Sequence, residues 1–337
     1  MPERLLSSIA HVELTTPDLE ASVEYARDIL GLDVVEERGD SVYLRCWGDY
    51  YRYSLVLTAA AEPGLGHAAW RAEGPEQMEE AIRRVEAGGI KGEWLETSVG
   101  HGRAYRFTGP AGHQHEIFWD VERAVAPRGE ESTYPERPQR AGSRGLAVRI
   151  LDHVTVTAPD VQGFANWTRD TFGSRIMAAV EPAPGAPWVF CVTTNNEKAH
   201  DWGCIQDFEG RSGRMHHVAW WVETNHDLTQ GAKFIIEHGH DIDQGPGQHG
   251  IGEQNYLYFR DPAGLRYELN SGGYRNYVPD WETIIWRPEQ GSNNTFRTEI
   301  GMPAVSMVNM PPGVAGTGED VRDTSGDSAE AAALARS

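Results

Sequence analysis

The chain has 337 residues, a formal charge of 30 − 50 = −20 and three cysteines, Cys46, Cys191 and Cys204. That length accommodates about two domains of ~150 residues, each able to bury a core, and the acidity argues against a phosphate-binding surface, so no nucleic-acid partner is expected. The cysteines form no CxxC or paired framework, the N-terminus has no signal-like apolar run, and no stretch nears the ~18 apolar residues of a membrane span. A cytoplasmic protein with no membrane partner is the expectation.

Residues 9–16 (IAHVELTT) alternate with period two and predict a strand. Pro17-Asp18 then opens a helix over 19–30, with Asp18 as N-cap and Gly31 as C-cap. SVYLRCW at 41–47 reads as a strand. A second unit follows, with a strand at 67–72, a helix at 74–88, and strands at 103–107 and 115–120 around the turn Gly109-Pro-Ala-Gly112. Residues 124–145 are rich in Pro, Gly and charge and read as a linker. The order then recurs: a strand at 151–158, Pro159-Asp160, a helix at 161–172 ended by Gly173, and the alternating run PWVFCVTT at 187–194. Next come a strand at 217–222, a helix at 225–238, and strands at 255–260 and 266–270 around Asp261-Pro-Ala-Gly264. The Gly-, Ala-, Ser- and acid-rich run from 311 to 337 reads as a flexible tail or a local contact.

The second half copies the first. IAHVELTTPD at 9–18 is answered by LDHVTVTAPD at 151–160, and His67-Ala-Ala-Trp70 by His217-Val-Ala-Trp220. The expected fold is α+β: four βαβββ modules paired into two similar domains, each a curled mixed sheet around a cavity. The boundaries are 1–123, a linker over 124–145, 146–290, and an extension over 291–337.

Each half also carries a histidine, a second histidine and a glutamate at matching places: His11, His67 and Glu116, then His153, His217 and Glu268. Two neutral imidazoles and one carboxylate are the ligand set of a mononuclear non-heme Fe(II) site with open positions. Strand parity puts His153 on one face with Thr155 and Thr157, His217 with Ala219, and Glu268 with Asn270. Alternation sends His216 to the opposite face from His217. One histidine alone would be an ordinary polar residue on a sheet. Three ligand types at corresponding strand positions outweigh that reading.

With Gly245-Pro-Gly-Gln-His-Gly250 and Tyr256-Leu-Tyr-Phe-Arg-Asp-Pro262 added, the chain resembles the type I extradiol ring-cleaving dioxygenases over about residues 8–290. These form the catechol 2,3-dioxygenase group of the vicinal oxygen chelate (glyoxalase/bleomycin resistance) superfamily. The resemblance implies a metal-free first domain and a catalytic second one, with His153, His217 and Glu268 holding Fe(II), or alternatively Mn(II). It implies a catechol and O2 as substrates, meta cleavage with both oxygen atoms inserted, a place in aromatic hydrocarbon degradation, and a homo-oligomer. His200 in AHDWG would stabilise reduced oxygen and pass a proton. Tyr258 would hydrogen-bond a substrate oxygen, and His249 would hold the catecholate.

Arg106 stands where Tyr258 does in the repeat, a cation that disfavours a divalent ion. Residues 50–60 offer no counterpart of His200, although His101-Gly102 echoes His249-Gly250. His11, His67 and Glu116 are therefore expected to be remnants. Relatives that cleave carboxylated catechols carry arginines near the GPG loop, whereas here the neighbours are Gln244 and Gln248. With Trp188 and Phe190 as apolar walls and Thr155 beside them, a neutral alkyl- or aryl-substituted catechol is expected, because an unpaired buried carboxylate is costly. The competing reading is a glyoxalase-like enzyme or a ligand-sequestering protein on the same modules.

Overall fold

Alternating strands and the two Pro-Asp turns cut each half into two βαβββ units, as the repeat predicts. In the computed structural model, which describes residues 3–296 and 304–313, the first unit comprises β1 (Leu6–Thr16), α1 (Leu19–Tyr25), β2 (Asp33–Arg38), β3 (Ser41–Arg45) and β4 (Leu55–Ala59). The second comprises β5 (Gly64–Ala72), α2 (Pro75–Ala87), β6 (Gly92–Leu95), β7 (Ala104–Thr108) and β8 (Gln114–Phe118). The third has β9 (Ile150–Ala158), α3 (Val161–Phe172), β10 (Arg175–Val180), β11 (Phe190–Thr194) and β12 (Trp202–Gln206). The fourth has β13 (Met215–Trp221), α4 (Asn225–Glu237), β14 (Ile242–Gln248), β15 (Gln254–Arg260) and β16 (Arg266–Gly272).

The spatial orders are β2-β3-β4-β1-β5-β8-β7-β6 and β14-β15-β16-β13-β9-β12-β11-β10, the second extended by β17 (Ile284–Trp286). In both sheets the unit-opening strands pair antiparallel at the centre, and each pairs parallel with the last strand of its own unit. This central pairing sets the two opening strands side by side, one histidine-bearing strand against the other.

The helices begin where the sequence places them. Asp18 accepts from the Ala21 N–H and Asp160 from the Gly163 N–H. Gly31 and Gly173 end them at φ 85° and 75°, a left-handed conformation that a Cβ disfavours. Helix α1 widens into a π-turn over Ala26–Leu30, an irregularity that periodicity alone does not show.

One continuous apolar cluster joins the helices to strands of both halves. At its centre Trp70 stacks on Trp202, with ring centroids 4.1 Å apart and both side chains buried. Polar ties cross between the halves as well: Ser22 Oγ donates to Asp261 Oδ2 (2.8 Å) and the Leu5 N–H to the Phe172 carbonyl (2.9 Å). The halves thus hold each other in place through a buried face that neither could expose cheaply.

Residues 124–145 contain no helix or strand, and buried Gln139 fastens them by donating to Asp33 (2.9 Å) and accepting from Arg45. The extension expected over 291–337 falls within the described residues only at 291–296 and 304–313. Those segments fold back onto both halves: Met310 bridges Met215, Pro312 bridges Leu65, and Arg266 Nη2 donates to the Val305 carbonyl (2.6 Å). Residues 314–337, most of the expected tail, lie outside the described ones. No helix among the described residues is long and apolar enough to cross a membrane.

Candidate metal centre and its cavity

Sheet register brings the second triad together. On β9 His153 lies opposite Ala219 of β13, which lies opposite Glu268 of β16. His217 is two residues from Ala219 and shares its face. Because Ala219 ends at Cβ, the space between the flanking ligands stays open. The two Nε2 atoms lie 3.2 Å apart, and Glu268 Oε2 is 2.8 Å from His217 Nε2 and 3.3 Å from His153 Nε2.

The donor set fits a divalent metal. His153 Nδ1 lies 2.7 Å from Asp152 Oδ2, which also accepts from Asn270 Nδ2 (2.6 Å). This carboxylate fixes the tautomer that turns the His153 Nε2 lone pair inward, as outer-shell carboxylates do at metal sites. Glu268 Oε2 is buried and makes no hydrogen bond of good geometry despite its two close nitrogens. Burial would lower the His153 imidazole, but Asp152 and Glu268 hold it up at about 9, so in the metal-free protein a proton stands in the gap that a cation would fill. Burial would raise the Glu268 carboxyl, but His217 and His153 hold it well below the usual carboxylate range. Burial takes His217 down to about 4, leaving a neutral imidazole.

Strand alternation fails at one position. The register of β13 against β9 shifts between Met215 and His217, so His216 sits at a bulge rather than on the opposite face. Its Nδ1 lies 2.6 Å from His217 Nδ1, and its side chain joins the cavity wall. The expected outward orientation of His216 is therefore corrected.

A cavity of about 290 Å³ opens onto the triad. His200, His249 and Tyr258 all line it. The His200 ring lies 4.1 Å from that of His153, burial pushes its pKa well below the usual range, and its buried Nδ1 has no hydrogen-bond partner among the described residues. Tyr258 lies opposite Glu268 in register, and burial raises its phenol well above the usual range. His249 Nδ1 is 2.5 Å from the Asn293 carbonyl, and its Nε2 is 3.0 Å from the Tyr258 hydroxyl. With Nδ1–H donating to Asn293, Nε2 is left to accept from Tyr258.

The rest of the wall is largely apolar, including Val180, Phe190, Val192, Ile205, Ile251 and Met307, and none of the described lining residues is Lys or Arg. Of the residues expected at the substrate pocket, Thr155 lines this cavity, and Trp188 and Gln248 do not. Trp188 precedes β11, so strand parity does not reach it, and it packs against the main apolar cluster. The β14 register shifts between Gln244 and Gly247, turning Gln244 toward the cavity, while Gln248 donates to the Glu253 carbonyl (3.2 Å). Asn293 and Met307 belong to the extension, where no periodicity announced them.

In the first half His11, His67 and Glu116 converge too, with all ligand atoms within 4.8 Å of one another, as in the second triad. Their surroundings differ. Arg106 lies opposite Glu116 as Tyr258 lies opposite Glu268, and it donates to Glu116 Oε2 through Nε (3.1 Å) and Nη2 (2.7 Å).

The profile of the Glyoxalase/Bleomycin resistance protein/Dioxygenase superfamily matches residues 8–117 and 150–269. A manganese-dependent 2,3-dihydroxybiphenyl 1,2-dioxygenase of Geobacillus genomosp. 3 is 35% identical over 292 residues, covering 85% of this chain and 91% of that one. A metapyrocatechase of Geobacillus stearothermophilus is 34% identical, with 86% and 88% covered. In fold, the chain is similar to the 2,3-dioxygenase LapB of Pseudomonas sp. KL28 (TM-score 0.78, 22% identity, 85% and 99% covered). It is also similar to homoprotocatechuate 2,3-dioxygenase of Brevibacterium fuscum bound to 3,4-dihydroxyphenylacetate (TM-score 0.79, 24% identity, 92% and 94% covered). The chain belongs to this superfamily, and within it to the extradiol dioxygenases.

Proposed function

We propose that this extradiol dioxygenase cleaves neutral catechols bearing alkyl or aryl substituents, with His153, His217 and Glu268 as the metal ligands and His200, His249 and Tyr258 as the acid–base groups. The observation that carries the reading is the largely apolar cavity, with no Lys or Arg among its described lining residues, opening directly onto the triad and these three side chains. When bound, the divalent metal would gather the two catechol oxygens and O2 and pass charge between them.

The protein groups supply the proton handling. Tyr258 stays protonated because of its burial, donates to His249 Nε2, and keeps its oxygen lone pairs for a catechol hydroxyl. A proton leaving the catechol can pass through Tyr258 to His249, whose other nitrogen is anchored on Asn293. His200, neutral through burial, can accept a proton and return it as the ring opens. The apolar wall excludes water and favours an apolar ring substituent; a carboxylated substituent would lie there unpaired.

Iron(II) is the proposed resident metal. Manganese(II) is the second reading, favoured by the manganese-dependent relative, because a two-imidazole, one-carboxylate set accepts either ion. The test is metal-free protein reconstituted without oxygen with each ion, then given 3-phenylcatechol or 3,4-dihydroxyphenylacetate and O2. The expected result is a yellow ring-fission product and kcat/KM at least ~100-fold higher for the neutral catechol, the equivalent of about 3 kcal/mol. Equal rates would overturn the substrate assignment, and no O2 uptake with either ion would overturn the reaction.

A further inference from the structure

We propose that His11, His67 and Glu116 form a second, weaker divalent-cation site that ties β1, β5 and β8 together and takes no part in ring cleavage. The register repeats that of the first centre: His11 lies opposite Ala69, and Ala69 opposite Glu116. All three side chains are buried, at 3%, 5% and 1% exposure.

Two features beyond the triad point to a ligand. The first is an outer-shell carboxylate. Glu13 Oε2 lies 2.8 Å from His67 Nδ1, and Thr58 Oγ1 donates to Glu13 Oε1 (2.7 Å). Glu13 is thereby placed to take the Nδ1 proton, leaving the His67 Nε2 lone pair directed inward, 3.0 Å from His11 Nε2. Asp152 plays the same part for His153 in the other half. The second is Glu116 Oε1, buried with no hydrogen bond of good geometry although His101 Nε2 is 3.0 Å away. A cavity of about 330 Å³ gives an ion access.

The surroundings set the affinity and exclude the chemistry. Arg106 already engages Glu116 Oε2 and competes electrostatically with a divalent ion. No tyrosine stands opposite Glu116, and Arg38, Thr97 and Ser98 help make this cavity's wall polar, unlike the apolar wall that would receive a catechol. A two-nitrogen, one-oxygen set suits Mn(II), Fe(II) or Zn(II), held here as a clamp across three strands.

The full-length His153→Ala/His217→Ala variant isolates this site, with Mn(II) as the probe. Titration followed by electron paramagnetic resonance is expected to show one ion per chain, bound at least tenfold more weakly than the tighter site of the wild type. Adding His67→Ala should abolish that binding, and adding Arg106→Gln should tighten it severalfold. No binding at millimolar Mn(II) by a variant whose circular dichroism matches the wild type would overturn the proposal, as would unchanged affinity after Arg106→Gln. If the double variant fails to fold, wild-type stoichiometry decides. Two ions per chain, falling to one in His11→Ala/His67→Ala, supports the site; one in the wild type overturns it. Ring cleavage is read separately, so the catalytic assignment stands or falls independently.

Discussion

Lys198 is the partly buried cation behind the candidate metal centre, and its replacement by methionine should be costly at two levels. Its Nζ lies 3.1 Å from Asp201 Oδ1 and 3.6 Å from Asp152 Oδ1, and it also donates to the Asp152 carbonyl. At an effective dielectric of about 20, unit charges at these separations attract by roughly 5 kcal/mol each before desolvation is counted. Desolvation of the ammonium offsets much of that. Removing one partner from a buried charge network typically costs about 3–5 kcal/mol, because the other charges remain buried without it. Lys198 keeps a quarter of its side chain exposed, so the lower end, about 3 kcal/mol, is expected. Asp152 meanwhile loses an anchor and holds His153 Nδ1 less firmly, which should weaken metal binding about 10- to 100-fold. Urea unfolding of the metal-free protein measures the first effect and Mn(II) titration the second, and Lys198→Arg should restore most of both. A Lys198→Met protein within ~1 kcal/mol of wild type, with unchanged metal affinity, would show that the lysine behaves as an ordinary surface charge.

Three further substitutions probe the site and the fold. Tyr258→Phe removes the hydroxyl 3.0 Å from His249 Nε2 and should lower kcat about tenfold with little change in KM, a loss of ~1.4 kcal/mol; a pure KM effect would make Tyr258 a packing residue. Ala219→Val places two methyl groups between His153 and Glu268 and should cost about 1–3 kcal/mol and most of the bound metal. Full metal occupancy in Ala219→Val would contradict the register. Asp49 is buried, and desolvation raises its carboxyl from 3.8 to about 6 even though Ser54 and the Cys46 N–H bind it. A raised acid pKa adds stability that is fully present below about 3.8 and is lost as pH rises through about 6. The two-unit shift corresponds to roughly 3 kcal/mol at most. Asp49→Asn should therefore gain on the wild type by up to that amount between pH 4 and 7.5 in denaturant titrations. A gap that does not change with pH would refute the shift.

The order of the modules, the helix ends and the six ligand-type residues were legible in the chain because each depends on short-range rules. Strand parity, Asp N-caps and left-handed glycines act within a few residues, and the duplication let each half check the other. The boundaries of α3 agree to the residue. Local rules failed where a strand departs from regular pairing. His216 faces the cavity because β13 is bulged, and Gln244 rather than Gln248 lines it because β14 shifts register. Trp188, expected as an apolar wall, sits just before β11 and packs into the main apolar cluster instead.

By itself, then, the sequence determined which side chains can serve as ligands and which strands carry them. The tertiary structure decided what surrounds them: Lys198 behind Asp152, Asn293 and Met307 brought in from the extension, and Arg106 against Glu116 where Tyr258 stands against Glu268. Which face a strand residue takes follows from a period of two residues wherever pairing is regular. The wall of a cavity is assembled from segments far apart in the chain, which only chain closure can bring together.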